Sequence, residues 1–259
     1  MRLNLVGVEG IPMVQPGDDL ADLILGALTQ TGEELVDDDV IVLAQKVVSK
    51  AEDRYLDLRT VVPTEEACRL AAEVDKDPRK VQAILDESNE VVRKREGVLI
   101  VEHRLGFVQA NAGIDQSNIS HEDDDEDNLC LLLPIDSDAS ARALRDEIKR
   151  RTGVTVGVVI NDSLGRAWRN GTLGLAIGVA GFTALETYVG ETDIYGRELV
   201  VTAVAAADEM AAAASLVMGQ TSEKTPVVLV RGYKPREPEE AALQGVQPLI
   251  RDKDVDLFR

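Results

Sequence analysis

Three polar stretches in this chain each follow an apolar or alanine-rich segment: NAGIDQSN at 111–118, NDS at 161–163 and MGQTS at 218–222. Taken singly, an aspartate at the end of a strand is turn chemistry, its side chain bonding its own backbone. Two of them in like contexts, Asp115 and Asp162, carry a second reading. Paired carboxylates with the carbonyl of Gln220 can hold hard cations that bridge phosphate oxygens. Lys46, Lys50, Arg166 and Arg169 can neutralise the same phosphates, or can simply keep a surface soluble. Residue types alone leave both readings open.

Other chemistries are excluded more firmly. His103 and His121 form no HxxH or HExxH, so a histidine-ligated zinc is not supported. Cys68 and Cys130 belong to no CxxC and read as reduced thiols. Any metal must therefore be held by oxygen, which points to magnesium or manganese. There is no GxxxxGK[ST] and no GxGxxG, so neither a P-loop nor a Rossmann fingerprint is present. The acidic run HEDDDED at 121–127 fails the EF-hand pattern. Counted from Asp123, position 6 is Asn128 and position 12 is Pro134, where glycine and glutamate are needed. It reads as a solvated loop.

Across 259 residues the formal net charge is −19, from 47 acidic and 28 basic residues, with eight aromatics. That field repels nucleic acid and leaves little for base stacking. Of the basic residues 19 are arginine and only 9 lysine. Acid-rich, lysine-poor surfaces stay hydrated in concentrated salt, so the thermal midpoint is expected not to fall as KCl rises from dilute to molar. A steady fall would remove the reading of a halophilic chain. The start, MRLNLVGVEGIP, has no apolar leader segment. The longest weakly polar run, Leu173 to Leu185, is 13 residues, too short to span a bilayer. Its Gly174 and Gly178 form a GxxxG that means little without a membrane length. The expectation is a soluble, cytoplasmic protein.

The elements that must position these residues alternate between strand and helix. Leu3 to Val8 reads as a strand. Asp18 or Asp19 caps a helix with Leu20, Leu23, Ile24, Ala27 and Leu28 on one face. Val40 to Val48 reads as a strand broken by Gln45 and Lys46, and Thr64 to about Lys76 as a helix. Asp77-Pro78 starts another helix, running to about Arg95. Val98 to Val101 and Gly106 to Ala110 suggest a hairpin, and Leu129 to Leu133 a short buried strand. Ser137 or Asp138 opens a helix that stops at Gly153. Val156 onward is a strand ending in the NDS turn. Leu199 to Val204 is a strand, Ala207 to Met218 a helix, and Pro226 to Val230 a final core strand. Without a regular βαβ rhythm, this is an α+β fold. It has mixed and antiparallel sheets with packed helices, as one module over 1–259 in one or two interleaved lobes. A peripheral tail runs from 234 to 259.

At these stretches the chain resembles the coenzyme F420-0:L-glutamate ligase family. The matching segments are VEGIPMV, QKVVSKAEDR, NAGIDQSN, LLLPIDSDASARALR, VINDSLGRAWRNGTLGLAIG, DIYGREL, ADEMAAAASLVMGQ and PVVLVRG, from residue 8 to about 232. The resemblance implies a GTP-dependent ligase. It would add L-glutamate to coenzyme F420-0 through an acyl phosphate, with a further glutamate joined by γ-linkage. It implies magnesium or manganese, allows potassium, and implies an intertwined homodimer in which the ligase stands alone, without the nitroreductase-like domain of some members. Carried over, the metal ligands fall on Asp115, Asp162, Ser163 and Gln220. Ser163 stands where threonine is common, and Gln220 where some members have an acid. Nucleotide contacts fall on Ile11, Pro12, Met13, Val14, Gln45, Lys46, Lys50 and Asn118, and on Met218, Gly219, Gln220, Thr221, Ser222, Glu223, Lys224 and Thr225. Arg166 and Arg169 are assigned here to the substrate's phosphodiester and carboxylates. Lys50 is a candidate catalytic residue, and no other acid or base is identified. Two alternatives stand beside this reading. One is a different metal-dependent amide ligase or phosphoryl-transfer enzyme on the same scaffold, the other a non-catalytic deazaflavin- or nucleotide-binding protein.

Overall fold

The structure, a computed structural model, describes residues 2–119, 127–235 and 244–257. All of the acidic run except Asp127 therefore lies outside the described residues. The first strand, β1 (Asn4–Gly7), is followed by α1 (Leu20–Thr31), capped by Asp19, whose side chain accepts from the Asp22 amide. Gly32, at φ 75°, ends α1 in the left-handed conformation that glycine adopts without strain. Next come β2 (Val40–Ala44) and α2 (Gln45–Ala51). Late in the chain lie α5 (Ser137–Thr152), β8 (Gly157–Gly165), β9 (Thr172–Ala180), α6 (Ala206–Met218) and β12 (Val227–Arg231).

These strands form a sheet in the order β1-β12-β2-β8-β9, parallel between β2 and β8 and antiparallel elsewhere. Period-two alternation divides its side chains between two layers. Ile41, Leu43, Val158, Ile160 and Leu229 pack with Ile24 and Leu28 of α1 and with Leu144 and Ile148 of α5. Val40, Val42, Val159, Val228 and Val230 pack with Met210, Ala211 and Ala214 of α6. Burying a large aliphatic side chain contributes roughly 1.5–3 kcal/mol, so these two layers carry the fold.

Between β2 and β8 the chain builds a second body. It contains β3 (Tyr55–Asp57) paired with β7 (Leu129–Leu131), and helices α3 (Glu65–Val74) and α4 (Pro78–Asp86). A three-stranded antiparallel sheet completes it: β4 (Ser88–Arg95), β5 (Val98–His103) and β6 (Val108–Ala110). Leu70, Val74, Val81, Ile84, Leu99 and Val101 form its core. The class is α+β, as the sequence predicts.

Several boundaries differ from expectation. The helix from Pro78 stops at Asp86, and Ser88 to Arg95 is a strand paired with β5. Val40 to Val48 is not one strand; the chain turns into α2 at Gln45, directly after β2. Asn161-Asp162-Ser163 is not a turn after β8 but lies within it, still paired to β9 through Gly165. Of Leu199 to Val204, only Ala203–Val204 is regular strand; it forms β11, paired with β10 (Glu186–Thr187).

Beyond that pair the chain extends as a two-stranded arm. Tyr188 N donates to Thr202 O (2.9 Å), Gly190 N to Leu199 O (2.9 Å) and Asp193 N to Arg197 O (2.8 Å). The arm's Val189, Ile194, Tyr195, Val200 and Val201 are 56–91% exposed. At its root, both Tyr188 and Tyr233 donate to the Glu186 carboxylate (2.8 and 2.5 Å). In the tail, Val246 is buried against the α6 layer, while Arg251 to Val255 are exposed.

Gly174 and Gly178 have a structural purpose in β9. A Cβ on Gly174 would lie 2.5 Å from Ala211 O of α6, and one on Gly178 would lie 2.5 Å from Ser137 O of α5. Two helix backbones thus press directly onto this edge strand, where only glycine leaves room. Carboxylates bind its outward amides. Asp208 accepts from Ala176 N (2.9 Å) and Asp138 from Val179 N (2.8 Å).

Candidate active site

Strand polarity brings the polar loops to one end of the main sheet. β2 and β8 run in parallel and reach that end at Ala44 and Asn161, while Ala44 N donates to Pro226 O (2.8 Å) just before β12 begins. The 218–226 loop, the start of α2 and the polar end of β8 therefore meet. The NAGIDQSN loop comes in from the second body and joins them.

Lys46 Nζ lies 2.7 Å from Asp115 Oδ2 and also donates to Ser117 Oγ (2.9 Å) and O (3.1 Å). Asp115 Oδ1 accepts from Ser117 N (2.7 Å). Turn chemistry and charge pairing are thus both true of this one carboxylate, one oxygen each. One turn further along α2, the buried Lys50 donates from Nζ to Asn118 O (2.8 Å). Asn118 Nδ2 in turn donates to Thr221 O (3.4 Å). On the third loop, Gln220 Oε1 accepts from Ser163 Oγ (3.0 Å).

The ionisation states differ within this cluster. Burial pushes the Asp162 carboxyl up to about 6; the Ser163 amide opposes this and the Asp115 charge adds to it. Burial also acts to raise Asp115, but the Lys46 ammonium and the Ser117 bond outweigh it and hold that carboxyl below its ordinary value. Burial, and then the charge of Lys46, draws the Lys50 ammonium down.

The expected ligands do not converge as one shell. Successive strand residues face opposite sides, so Asp162 shares the α1–α5 face with Ile160 and Leu164, toward Lys46 and Asp115. Ser163 shares the α6 face with Val159 and meets Gln220. Among the described residues, no three or more His, Cys, Asp or Glu side chains gather into a metal-holding group. The donors present still fit a hard cation. They are all oxygen, Asp115 already takes a cation in Lys46, and Mg²⁺ commonly uses one or two carboxylates with waters and phosphates. Were Asp162 to hold the cation, a proton would compete with it for the carboxylate. Mn²⁺ affinity is therefore expected to be level above pH 6 and to fall up to tenfold per unit below it. Flat affinity from pH 7 to 5, by calorimetric titration, would mean that Asp162 is not a ligand or that its carboxyl is not raised.

The remaining expected residues are placed less directly. Gln45 is buried, its Oε1 accepting from Ser49 Oγ (2.8 Å). Val14 and Met218 are core side chains, whereas Met13 faces solvent; Ile11 is half-buried and Pro12 exposed. Ser222 and Lys224 are exposed, and the Thr225 methyl lies against Gly7. Arg166 and Arg169 sit in the β8–β9 hairpin turn, about 13 Å or more along the strand from Asp162. Arg166 Nη1 donates there to Gly171 O (2.8 Å) and Arg169 is exposed. The structure does not bring them to the cluster. Sequence reasoning missed Ser117, which fixes Lys46 from two atoms. Its position two residues after Asp115, the spacing of an Asx turn, was the available signal.

Fold and cluster together define an α+β protein with a carboxylate–lysine site at the C-terminal ends of β2 and β8. A sequence model of the F420-0:Gamma-glutamyl ligase family matches residues 10–232. The chain is 46% identical over 259 residues to the coenzyme F420:L-glutamate ligase of Methanothermobacter thermautotrophicus, covering 100% of both. It is 42% identical to that of Methanopyrus kandleri, covering 99% of each, and 40% identical to that of Methanocaldococcus jannaschii, covering 100% of this chain and 97% of the other. The chain belongs to the F420-0:Gamma-glutamyl ligase family. Among the described residues no helix is long and apolar enough to cross a membrane.

Proposed function

We propose that this protein is a ligase that adds L-glutamate to coenzyme F420-0, using GTP to activate the acceptor carboxylate as an acyl phosphate. A second glutamate would join through the γ-carboxylate. The observation that carries the reading is the meeting of three loops distant in sequence, through Lys50–Asn118 and Asn118–Thr221, beside Asp115 and Asp162. A carboxylate is a poor electrophile because its charge repels the nucleophile and oxide is a poor leaving group. Transfer of a phosphoryl group removes both obstacles, and the glutamate amine then displaces phosphate.

Asp115 and Asp162 would hold Mg²⁺ or Mn²⁺, with Ser163 and Gln220 on the other face of β8; potassium is a further candidate ion. The divalent ion would neutralise phosphate charge as it develops. Lys46 and Lys50 would hold phosphate oxygens, and the short 218–225 loop would bring backbone amides to them. Arg166 and Arg169, on the exposed hairpin turn, remain assigned to the acceptor's phosphodiester and carboxylates.

The exposed apolar side chains of the arm support the homodimer, since a partner surface would remove them from water. A mass of two chains by sedimentation equilibrium is expected, and a monomer at micromolar concentration would remove that part. The activity is tested by incubating the protein with GTP, Mn²⁺, L-glutamate and F420-0 and reading product mass. Metal-dependent GTP turnover with no glutamyl increment would instead favour a different ligase or phosphoryl-transfer enzyme. Nucleotide binding with no turnover would favour a binding protein.

A further inference from the structure

The loop after α6 is folded around a side chain of its own. Glu223 Oε2 accepts from Thr221 N (2.7 Å), and Thr221 Oγ1 lies 3.2 Å from both carboxylate oxygens. The Thr221 amide, then Glu223's own amide, hold this carboxyl below its ordinary value, with the Thr221 hydroxyl and the Gln220 amide adding to them. Gly219, at φ 72°, makes the fold-back possible, because a Cβ there would lie 2.2 Å from Glu223 Cδ. Successive amides aimed at one point form a concavity that binds oxyanions, phosphate and carboxylate alike. Here the Thr221 amide and hydroxyl are taken by a tethered carboxylate.

We propose that the Gly219–Thr225 loop is an oxyanion site that Glu223 occupies in the ligand-free protein, so that phosphate enters only when this carboxylate swings out. This rests on the reading that nucleotide phosphates lie on the 218–225 loop. The surroundings are consistent with a phosphate site: Asn118 donates to Thr221 O, and Gln220 reaches Ser163. Glu223 itself is exposed, so it can leave without disturbing a core layer. A self-occupied site weakens ligand binding by the fraction of time it stands open. A pocket open a tenth of the time binds about tenfold more weakly than its intrinsic affinity.

The test compares wild type, Glu223→Ala and Glu223→Gln by calorimetric titration with GDP and with pyrophosphate, each with Mg²⁺. Glu223→Ala is expected to bind both about tenfold more tightly, and Glu223→Gln to fall between, because a neutral amide competes less well for N–H donors. Amide exchange supplies an independent reading. Thr221 N–H should exchange slowly in ligand-free wild type, faster in ligand-free Glu223→Ala, and slowly again when that variant binds GDP. If wild type binds GDP and Glu223→Ala binds it equally or more weakly with its thermal midpoint unchanged, Glu223 shapes the loop and the proposal is overturned. If no form binds either ligand, the nucleotide reading of the loop falls and the inference with it.

Discussion

If Asp162 holds the divalent ion as proposed, Asp162→Asn is expected to lower glutamate addition by about a thousandfold, since a neutral amide holds such a cation poorly and the proposed phosphoryl transfer would need its charge. The same change should leave the metal-free protein as stable as wild type or more so. A carboxyl pushed up to about 6 by burial opposes folding when ionised. Its unfavourable contribution is complete above pH 6 and fades as pH falls from there toward the unfolded value near 4. The gain in thermal midpoint from Asp162→Asn should therefore be largest at pH 7.5 and vanish near pH 4. Asp115→Asn should abolish turnover equally but shift stability the other way. Lys46 holds the Asp115 carboxyl below its ordinary value, so its ionised form supports the fold above the unfolded pKa, and that support is lost as pH falls through the folded one. Two neighbouring carboxylates thus lose the same activity with opposite effects on melting. Wild-type rates in either variant would remove the metal assignment.

Gly178→Ala is expected to destabilise the protein by about 3 kcal/mol, although it adds a single methyl group. That methyl would meet the backbone of Ser137, its carbonyl oxygen at 2.5 Å and its carbonyl carbon at 2.6 Å, and a helix end cannot yield as a flexible side chain can. Gly174→Ala meets Ala211 O in the same way. Gly165→Ala is the control, with nothing within 4 Å of its Cβ and an ordinary negative φ. Denaturant midpoints decide the matter: a Gly178→Ala protein within about 0.5 kcal/mol of the Gly165→Ala protein would mean that α5 moves freely on β9.

The contrast between those glycines shows what could be read from the chain. α1, α5 and α6 were legible because their apolar periodicity coincides with local stop or start signals, such as Asp19 before α1 and Gly153 after α5. The start of α2 was not, because its cap position is Ala44, which offers no side-chain bond to the helix amides. The segment Ser88–Arg95 reads as a helix on local pattern, but pairing with β5 overrides it. GxxxG lacked meaning in sequence because the helices that need those gaps lie 37 and 41 residues away along the chain.

The site divides in the same manner. Residue types singled out Asp115, Asp162, Lys46 and Lys50 as candidates beside the turn and surface readings, since an oxygen-only donor set follows from the absence of histidine and cysteine spacing. Their geometry was hidden, because it depends on contacts spanning 68 residues for Lys50–Asn118 and 103 for Asn118–Thr221. The position of Asp162 within a strand, not after it, was also hidden, and it is what sends Asp162 and Ser163 to opposite faces.

The carboxylates of Asp138 and Asp208 on β9 bear on how the molecule can assemble. An edge strand with free amides can recruit the edge of another molecule and grow without limit. In β9 the amides of Ala176 and Val179 are already taken, and the α5 and α6 backbones press on its two opposite faces. At these two positions the edge of the main sheet offers no free amide to a sixth strand. In the proposed homodimer, the arm rooted at Glu186 would offer a finite, two-body contact in place of an open-ended fibre.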